Sequence, residues 1–463
     1  MTALPTWWAI APLGALVSNL DSQRVPVNAK ERTARQGDVP YFGAAGQVGW
    51  IDTPLFDEPL LLLGEDGVQF FEPERRKAYM ISGPSWVNNH AHVLGAHSGV
   101  NLAYLMHYLN QFDYRGYANG TTRLKLTRAA MDRIPVAVAP AAEQERIVAA
   151  IEEAFSLLDA GETALHNTRT RLKRMRDSVL IAAVTGQLVP QDPTGTPADK
   201  LLAGLGVSST ADVSELPAVP PSWAWARLGE LAEVVGGVTK DAKRQGDTGN
   251  VEVPYLRVAN VQRGYLDLTA IATIRVPEAK ATQLALHAGD VLFNEGGDRD
   301  KLGRGWVWDG QIPGCIHQNH VYRARLADGI EPRFVSWWGN TFGRGWFEFH
   351  GKQTTNLASI NLTTLKSFPV PLPPLEEQSR IVAEVERLFS FIEAAERAVE
   401  AGLARSKGLR RSVLKAAFEG RLVEQDPSDE PASVLLGRIA AERATVAPRN
   451  RALRAVRGKV VAS

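Results

Sequence analysis

One stretch of this 463-residue chain occurs twice. Residues 134–205 recur at 368–439 without a gap, at the constant offset that separates Glu143 from Glu377, which is 377 − 143 = 234, and 33 of the 72 paired positions are identical. Solenoid repeats run to roughly 20–50 residues, so this period implies two copies of a whole module. Such a chain has internal pseudo-two-fold symmetry. Its partner should come in two halves as well.

Each copy has the same internal order. A proline-bounded, strand-like piece (134–140; 368–374) precedes a long helical pattern. The first copy places Ile147, Ile151, Ala154, Leu158, Gly161, Leu165, Thr168, Leu172, Met175, Val179 and Ala182 at alternating spacings of four and three. The second places Ile381, Val385, Leu388, Ile392, Ala395, Val399, Gly402, Ser406, Leu409, Val413 and Ala416 in the same way. Five heptads predict a coiled-coil seam, and its small residues let two helices approach closely. Gly186 and Gly420 mark the helix ends. A turn-rich segment follows (191–197; 425–431), then a short amphipathic helix (198–205; 432–444). The nearest cover for each long helix is the other copy.

Ahead of each helix lies a region rich in Gly, Val, Tyr and Trp, 1–133 and 215–367, read as short strands bounded by Gly, Asp and Asn. Both begin alike (Trp8 with Leu13-Gly14; Trp223 with Leu228-Gly229). Both carry an Asn-His pair (Asn89-His90; Asn319-His320) and both end in Thr-Thr (Thr121-Thr122; Thr354-Thr355). Elsewhere the two hardly match. The fold class is therefore α+β: two β-rich globular domains joined by two long antiparallel helices. The expected divisions are domain one 1–133, first long helix 134–190, linker 191–214, domain two 215–367, second long helix 368–440 and a basic flexible tail 441–463.

Composition removes several classes. A single cysteine, Cys315, excludes an intramolecular disulfide and fits a reducing cytosol. The first residues lack the pattern of a secretory leader, and no apolar run is long enough to span a membrane. There is no Gly-Lys-Ser/Thr phosphate loop, no Asn-Pro-Pro-Tyr-type methyltransferase motif, and no nuclease cluster beyond the isolated Glu278-Ala-Lys280. No catalytic residue is expected in this chain. The net charge of +1 decides nothing, since a basic face can sit on a neutral protein.

With Glu143-Gln-Glu-Arg-Ile-Val148, Glu377-Gln-Ser-Arg-Ile-Val382, Ser178-Val-Leu180 and Ser412-Val-Leu414 in view, the chain resembles the specificity subunit of type I restriction–modification systems. Val39-Pro-Tyr-Phe42 and Val253-Pro-Tyr-Leu256 resemble two different recognition-domain types of that family. The resemblance implies a non-catalytic cytoplasmic subunit of a bacterium or archaeon. Each variable domain would read one half of a bipartite double-stranded DNA site, and the helices would set the spacer. Two methyltransferase subunits would dock, with two restriction subunits in full systems. S-adenosylmethionine, and ATP and Mg in full systems, would be used by those partners and not by this chain. Glu143, Gln144 and Arg146, with Glu377, Gln378 and Arg380, are the docking candidates, although Glu143-Gln144 and Glu377-Gln378 could equally cap the helix starts.

Base edges are read by Arg or Lys on guanine and by Asn or Gln on adenine, and polar side chains hold phosphates. In domain one the candidates are Arg24, Lys30, Arg32, Asn88, Arg115, Thr121, Thr122 and Arg123. In domain two they are Lys240, Lys243, Arg244, Arg257, Asn260, Asn294, Arg299, Lys301, Lys352, Gln353, Thr354 and Thr355. A solvated surface role is open for every one of them. The Asn-His pairs also read as buried, hydrogen-bonded groups, and the basic tail residues Arg449, Arg451, Arg454, Arg457 and Lys459 as transient DNA contacts. His90/His92 and His317/His320 lack the acidic or thiol partners that a metal site needs. A coiled-coil adaptor for protein partners is the alternative function.

Overall fold

A computed structural model describes residues 4–208, 216–241, 246, 249–297, 301–353 and 358–445. The chain divides into two compact units: 1–166 with 400–463, and 167–399. Each unit holds one β-rich domain, the start of the long helix that follows it and the end of the other long helix. The sequence boundaries at 133 and 367 thus fall inside units, because each domain shares a core with helical residues beyond its own end.

The two β domains have one topology despite their sequences. In the first, the antiparallel sheet runs Val17–Asn19, Ala91–Ala96, Leu60–Gly64, Ala78–Ile81. In the second it runs Ala232–Gly236, Val321–Leu326, Val291–Asn294, Gly305–Val307. A second sheet is centred on Val39–Phe42 in one domain and on Val251–Leu256 in the other. Tyr41 and Phe42 pair in parallel with Trp86 and Val87. Tyr255 and Leu256 pair in parallel with Ile316 and His317. The two Val-Pro-Tyr strands, read as marks of different domain types, occupy the same place.

A two-stranded sheet closes each domain. Ala9–Pro12 pairs with Pro135–Val138, and Ala224–Arg227 pairs with Pro369–Leu372 in the same register. Prolines fit there because a two-stranded ribbon leaves one edge of each strand without ladder bonds.

The long helices run Ala141–Val184 and Leu375–Phe418, 44 residues each, about 66 Å at 1.5 Å per residue. Both end as expected. Gly186 and Gly420 have φ of 73° and 68°, and Gln187 and Arg421 donate backbone N–H to Ala182 and Ala416 oxygens at 2.8 Å. That pattern is a Schellman close, for which glycine has no Cβ penalty. Short helices follow at Ala198–Gly204 and at 432–445.

Within each unit the helices run antiparallel. In the first, Ser406 donates to Glu162 at 2.6 Å, Gly402 lies against Leu165, and Arg410 reaches Asp159 at 2.5 Å and Glu162 at 3.3 Å. In the second, Arg176 lies 3.7 Å from Glu393 and 3.8 Å from Glu396. Those are the same pairs shifted by 234. Arg410 also lies over the Phe155 ring and Arg176 over Phe389. Ile147, Ile151, Ile381 and Val385 are fully buried, as the seam requires. Met175 and Leu409 are not: they are exposed, although the heptad pattern places them in the seam. A helix of 3.6 residues per turn drifts off a 3.5-residue repeat, which carries Met175 and Leu409 off the seam by the fifth heptad. Phe155 and Phe389, outside the heptad positions, pack beneath Arg410 and Arg176.

Candidate nucleic-acid interface

The loops that carry most of the sequence candidates converge at one end of each sheet, and the same backbone bonds gather them in both domains. In the first, Asn88 N–H donates to Phe42 O (3.0 Å), Glu65 N–H to His90 O (2.8 Å) and Leu126 N–H to Glu65 O (2.8 Å). In the second, Gln318 N–H donates to Leu256 O (2.8 Å), Glu295 N–H to His320 O (2.9 Å) and Ile360 N–H to Glu295 O (2.8 Å). Each cluster therefore joins the turn after a Val-Pro-Tyr strand, the exit of the central strand, the Asn-His turn and the segment that follows the Thr-Thr element. Thr127 and Asn361 then cap the next short helices with their side chains.

In domain one, Thr121, Thr122 and Arg123 form an exposed turn, and Arg123 pairs with Asp66 at 2.6 Å. Below it lies a charged network. His92 Nδ1 meets Asp21 at 2.7 Å, and its Nε2 meets Leu126 O at 2.9 Å. Arg24 bonds Glu65 at 2.9 Å and the Ala91 carbonyl, and Lys125 reaches Glu65 at 3.1 Å. Burial alone would raise the Asp21 carboxyl, but the bond and charge of His92, with Asn19 and the Val93 N–H, hold it below the usual range. Asp21, Glu65 and His92 each bring one potential ligand atom within 4.8 Å of the others, so the carboxylates that the sequence did not supply are present. Their charge is already met by Arg24 and Lys125. Arg24 is thereby internal to the domain and anchors the loop rather than presenting a free cation.

The other candidates separate by exposure. Lys30 is open on the Ala29–Ala34 helix, and Arg32, half-buried, lies 4.9 Å from the centre of the Tyr41 ring. Arg115 is exposed and bonded to Asp113. Asn88 is buried, and its side chain accepts the His90 N–H.

In domain two, Val238 N–H donates to His317 O and Asn319 N–H to Val238 O, which brings the Lys240 loop to the Asn-His turn. Lys240, Arg257 and Lys352 are exposed and Lys301 is half-buried. Gln353 continues the Lys352 strand. Asn260 and Asn294 are buried. Asn260 bonds the Asp267 and Ala270 carbonyls, and Asn294 bonds those of Val258 and Val261. They shape the loops and present nothing outward. Lys243, Arg244, Arg299, Thr354 and Thr355, with the basic tail, lie outside the described residues.

The doubled Glu-Gln motif faces inward. Glu143 is 1 % exposed and accepts from Trp8 Nε1 at 3.0 Å and from Gln425. Glu377 is 2 % exposed and accepts from Gln191 at 2.6 Å. Gln144 holds the Ala139 carbonyl and the Asn101 N–H, and Gln378 holds the Pro373 carbonyl and the Glu331 N–H. Burial raises the Glu143 carboxyl despite its two donors. These four side chains, expected at a docking surface, are buried instead: each glutamate ties its domain to the segment after the opposite helix, Gln191 and Gln425 being equivalents at 425 − 191 = 234, and each glutamine bonds within its own domain. Arg146, paired with Asp429 at 2.6 Å, and exposed Arg380 remain at the surface.

Sequence reasoning passed over Lys125 and exposed Trp50 on the Gln47–Ile51 strand, of which only Trp50 carried a signal, as an apolar residue on the outer face of an alternating strand. It marked the Asn-His pairs but read them as buried, whereas the His90 and His320 side chains reach the surface.

The family model for the type I restriction modification DNA specificity domain matches residues 17–170 and again 220–401. The chain belongs to that family, and its function is DNA sequence recognition in type I restriction–modification, not the adaptor alternative. It is 28 % identical to the StySPI specificity subunit of Salmonella potsdam, over 95 % of this chain and 96 % of that one. It is 26 % identical to the EcoKI specificity subunit of Escherichia coli K12, with the same coverages. Two solved structures share the fold at 17 % identity. One is a chain of a type I restriction–modification assembly (TM-score 0.62; 90 % of this chain and 99 % of that one). The other is the HsdS subunit of Thermoanaerobacter tengcongensis (TM-score 0.53; 90 % and 98 %). Among the described residues no helix is long and apolar enough to cross a membrane.

Proposed function

We propose that each loop cluster reads one half of a bipartite DNA site in the major groove and that the paired helices fix the distance between the halves. The observation that carries this reading is the pair of clusters itself. Identical backbone bonds gather equivalent loops in both domains, while side chains at equivalent positions on them differ (Gly43 and Asn88 in one; Arg257 and Gln318 in the other). A constant frame with variable tips suits two different sequence words.

The chain itself supplies recognition and no chemistry. Methylation of adenine, with S-adenosylmethionine, falls to two methyltransferase subunits docked on the cytoplasmic complex, and ATP- and Mg-dependent restriction to two further subunits where present. Arg146 and Arg380 are the surface candidates for that docking. A gel-shift titration tests DNA recognition: the full chain with its methyltransferase should bind a split duplex site with affinity that falls steeply as salt rises. Equal affinity for all duplexes, or none, would overturn it.

A further inference from the structure

Each loop cluster contains a histidine held by a carboxylate at an equivalent place. His90 Nδ1 lies 2.8 Å from Asp66 Oδ1, and Asp66 also takes Arg123. His320 Nδ1 is bonded to Glu295, the structural counterpart of Glu65 beside Asp66. The two domains differ almost everywhere else in sequence, and the acid comes from adjacent positions rather than the same one. Yet both arrive at the same pair.

Neither histidine serves the interior. His90 and His320 have side chains 39 % and 51 % exposed, whereas His92 and His317, two residues after the first and three before the second, are 1 % and 0 %. A carboxylate on Nδ1 takes the N–H at that atom, and in the neutral imidazole Nε2 is then the outward atom with a lone pair. At His320, Asn319 Nδ2 lies 3.2 Å from Nε2, so a base amine reaches that atom by displacing the Asn319 amide. At His90, Nε2 has no hydrogen-bond partner among the described residues. An oriented acceptor at the tip of a groove-entering cluster matches a base that offers an exocyclic amine in the major groove: adenine N6 or cytosine N4.

We infer that His90 and His320 each read one amine-bearing base, one in each half-site, with Asp66 and Glu295 as the residues that orient them. This rests on the DNA reading above and adds residues and a base class to it. Adenine methylation should be mapped across the native host genome in strains carrying His90→Ala, His90→Gln, His320→Ala, Asp66→Asn or Glu295→Gln in the full chain. Thermal unfolding of the purified chains should be measured alongside. His90→Ala is expected to relax the preference at one base pair of one half-site by on the order of tenfold, with the other half-site unchanged. His320→Ala should do the same in the other half. Asp66→Asn and Glu295→Gln should relax the same positions less.

Unchanged preference at every position in both histidine variants overturns the inference while the bipartite reading stands. So does uniform loss at both half-sites by His90→Ala and His90→Gln alike. A genome whose methylation does not depend on the chain at all would instead overturn the DNA reading itself.

Discussion

At the scale of single residues, burial decides what each polar group can do. Glu143 and Glu377 are enclosed acceptors, each reached by one glutamine from the far end of the repeat. Gln425→Ala or Gln191→Ala leaves a buried carboxylate short of a donor and should cost about 1–3 kcal/mol in chemical denaturation. A cost near zero at both sites would show that these bonds do not secure the domains. His107 and His317 are held uncharged by burial, each pushed down to about 4. In the unfolded chain histidine binds its proton near 6.5. Their folded values lie below the unfolded one, so the stability they support is whole above about pH 6.5 and is lost as pH falls towards about 4. His107→Phe should flatten that decline by on the order of 2 kcal/mol at pH 4, and an unchanged slope would contradict the assignment.

Among elements, the most regular ones were legible in the sequence. The helix ends at Gly186 and Gly420, the proline-bounded strands and the short helices after the turns all rest on local signals. Here a Cβ would strain the positive φ and would also meet Pro220 beside Gly186 and Pro5 beside Gly420, at 2.3 Å in each case. Gly186→Ala and Gly420→Ala should each lower stability by about 1–2 kcal/mol, measured by urea unfolding; neutrality would argue against the tight close. What the sequence did not reveal is non-local. Asn294 and Asn260 look like readers because their acceptors, such as Val258 O for Asn294, are known only once the loops are folded. Arg24 looks like a phosphate contact until Glu65 is seen beside it. The match of the two Val-Pro-Tyr strands was hidden for another reason: the loops around them differ in length, so no constant offset connects them. Phe155 and Phe389 escaped because they lie outside the heptad positions and their partners, Arg410 and Arg176, come from the other helix.

For the whole molecule, the duplication and the divergence do different work. The repeat supplies two equal closures, with Gln425 on Glu143 and Gln191 on Glu377, and two equal Arg–Phe contacts between helices. Adding one heptad to both long helices should therefore change the spacing of the target and leave the bases read unaltered, as judged by methylation mapping. Altered bases at constant spacing would refute the ruler role. Exchanging 1–133 for another recognition domain should rewrite one half-site alone.

The central claim, two readers on one ruler, is tested most directly by mapping methylated adenines in the host genome with and without this chain. The account predicts methylation confined to two fixed half-sites separated by one constant spacer, all of it lost when the chain is removed. Methylation that persists without the chain, or that follows a single continuous word, would contradict it.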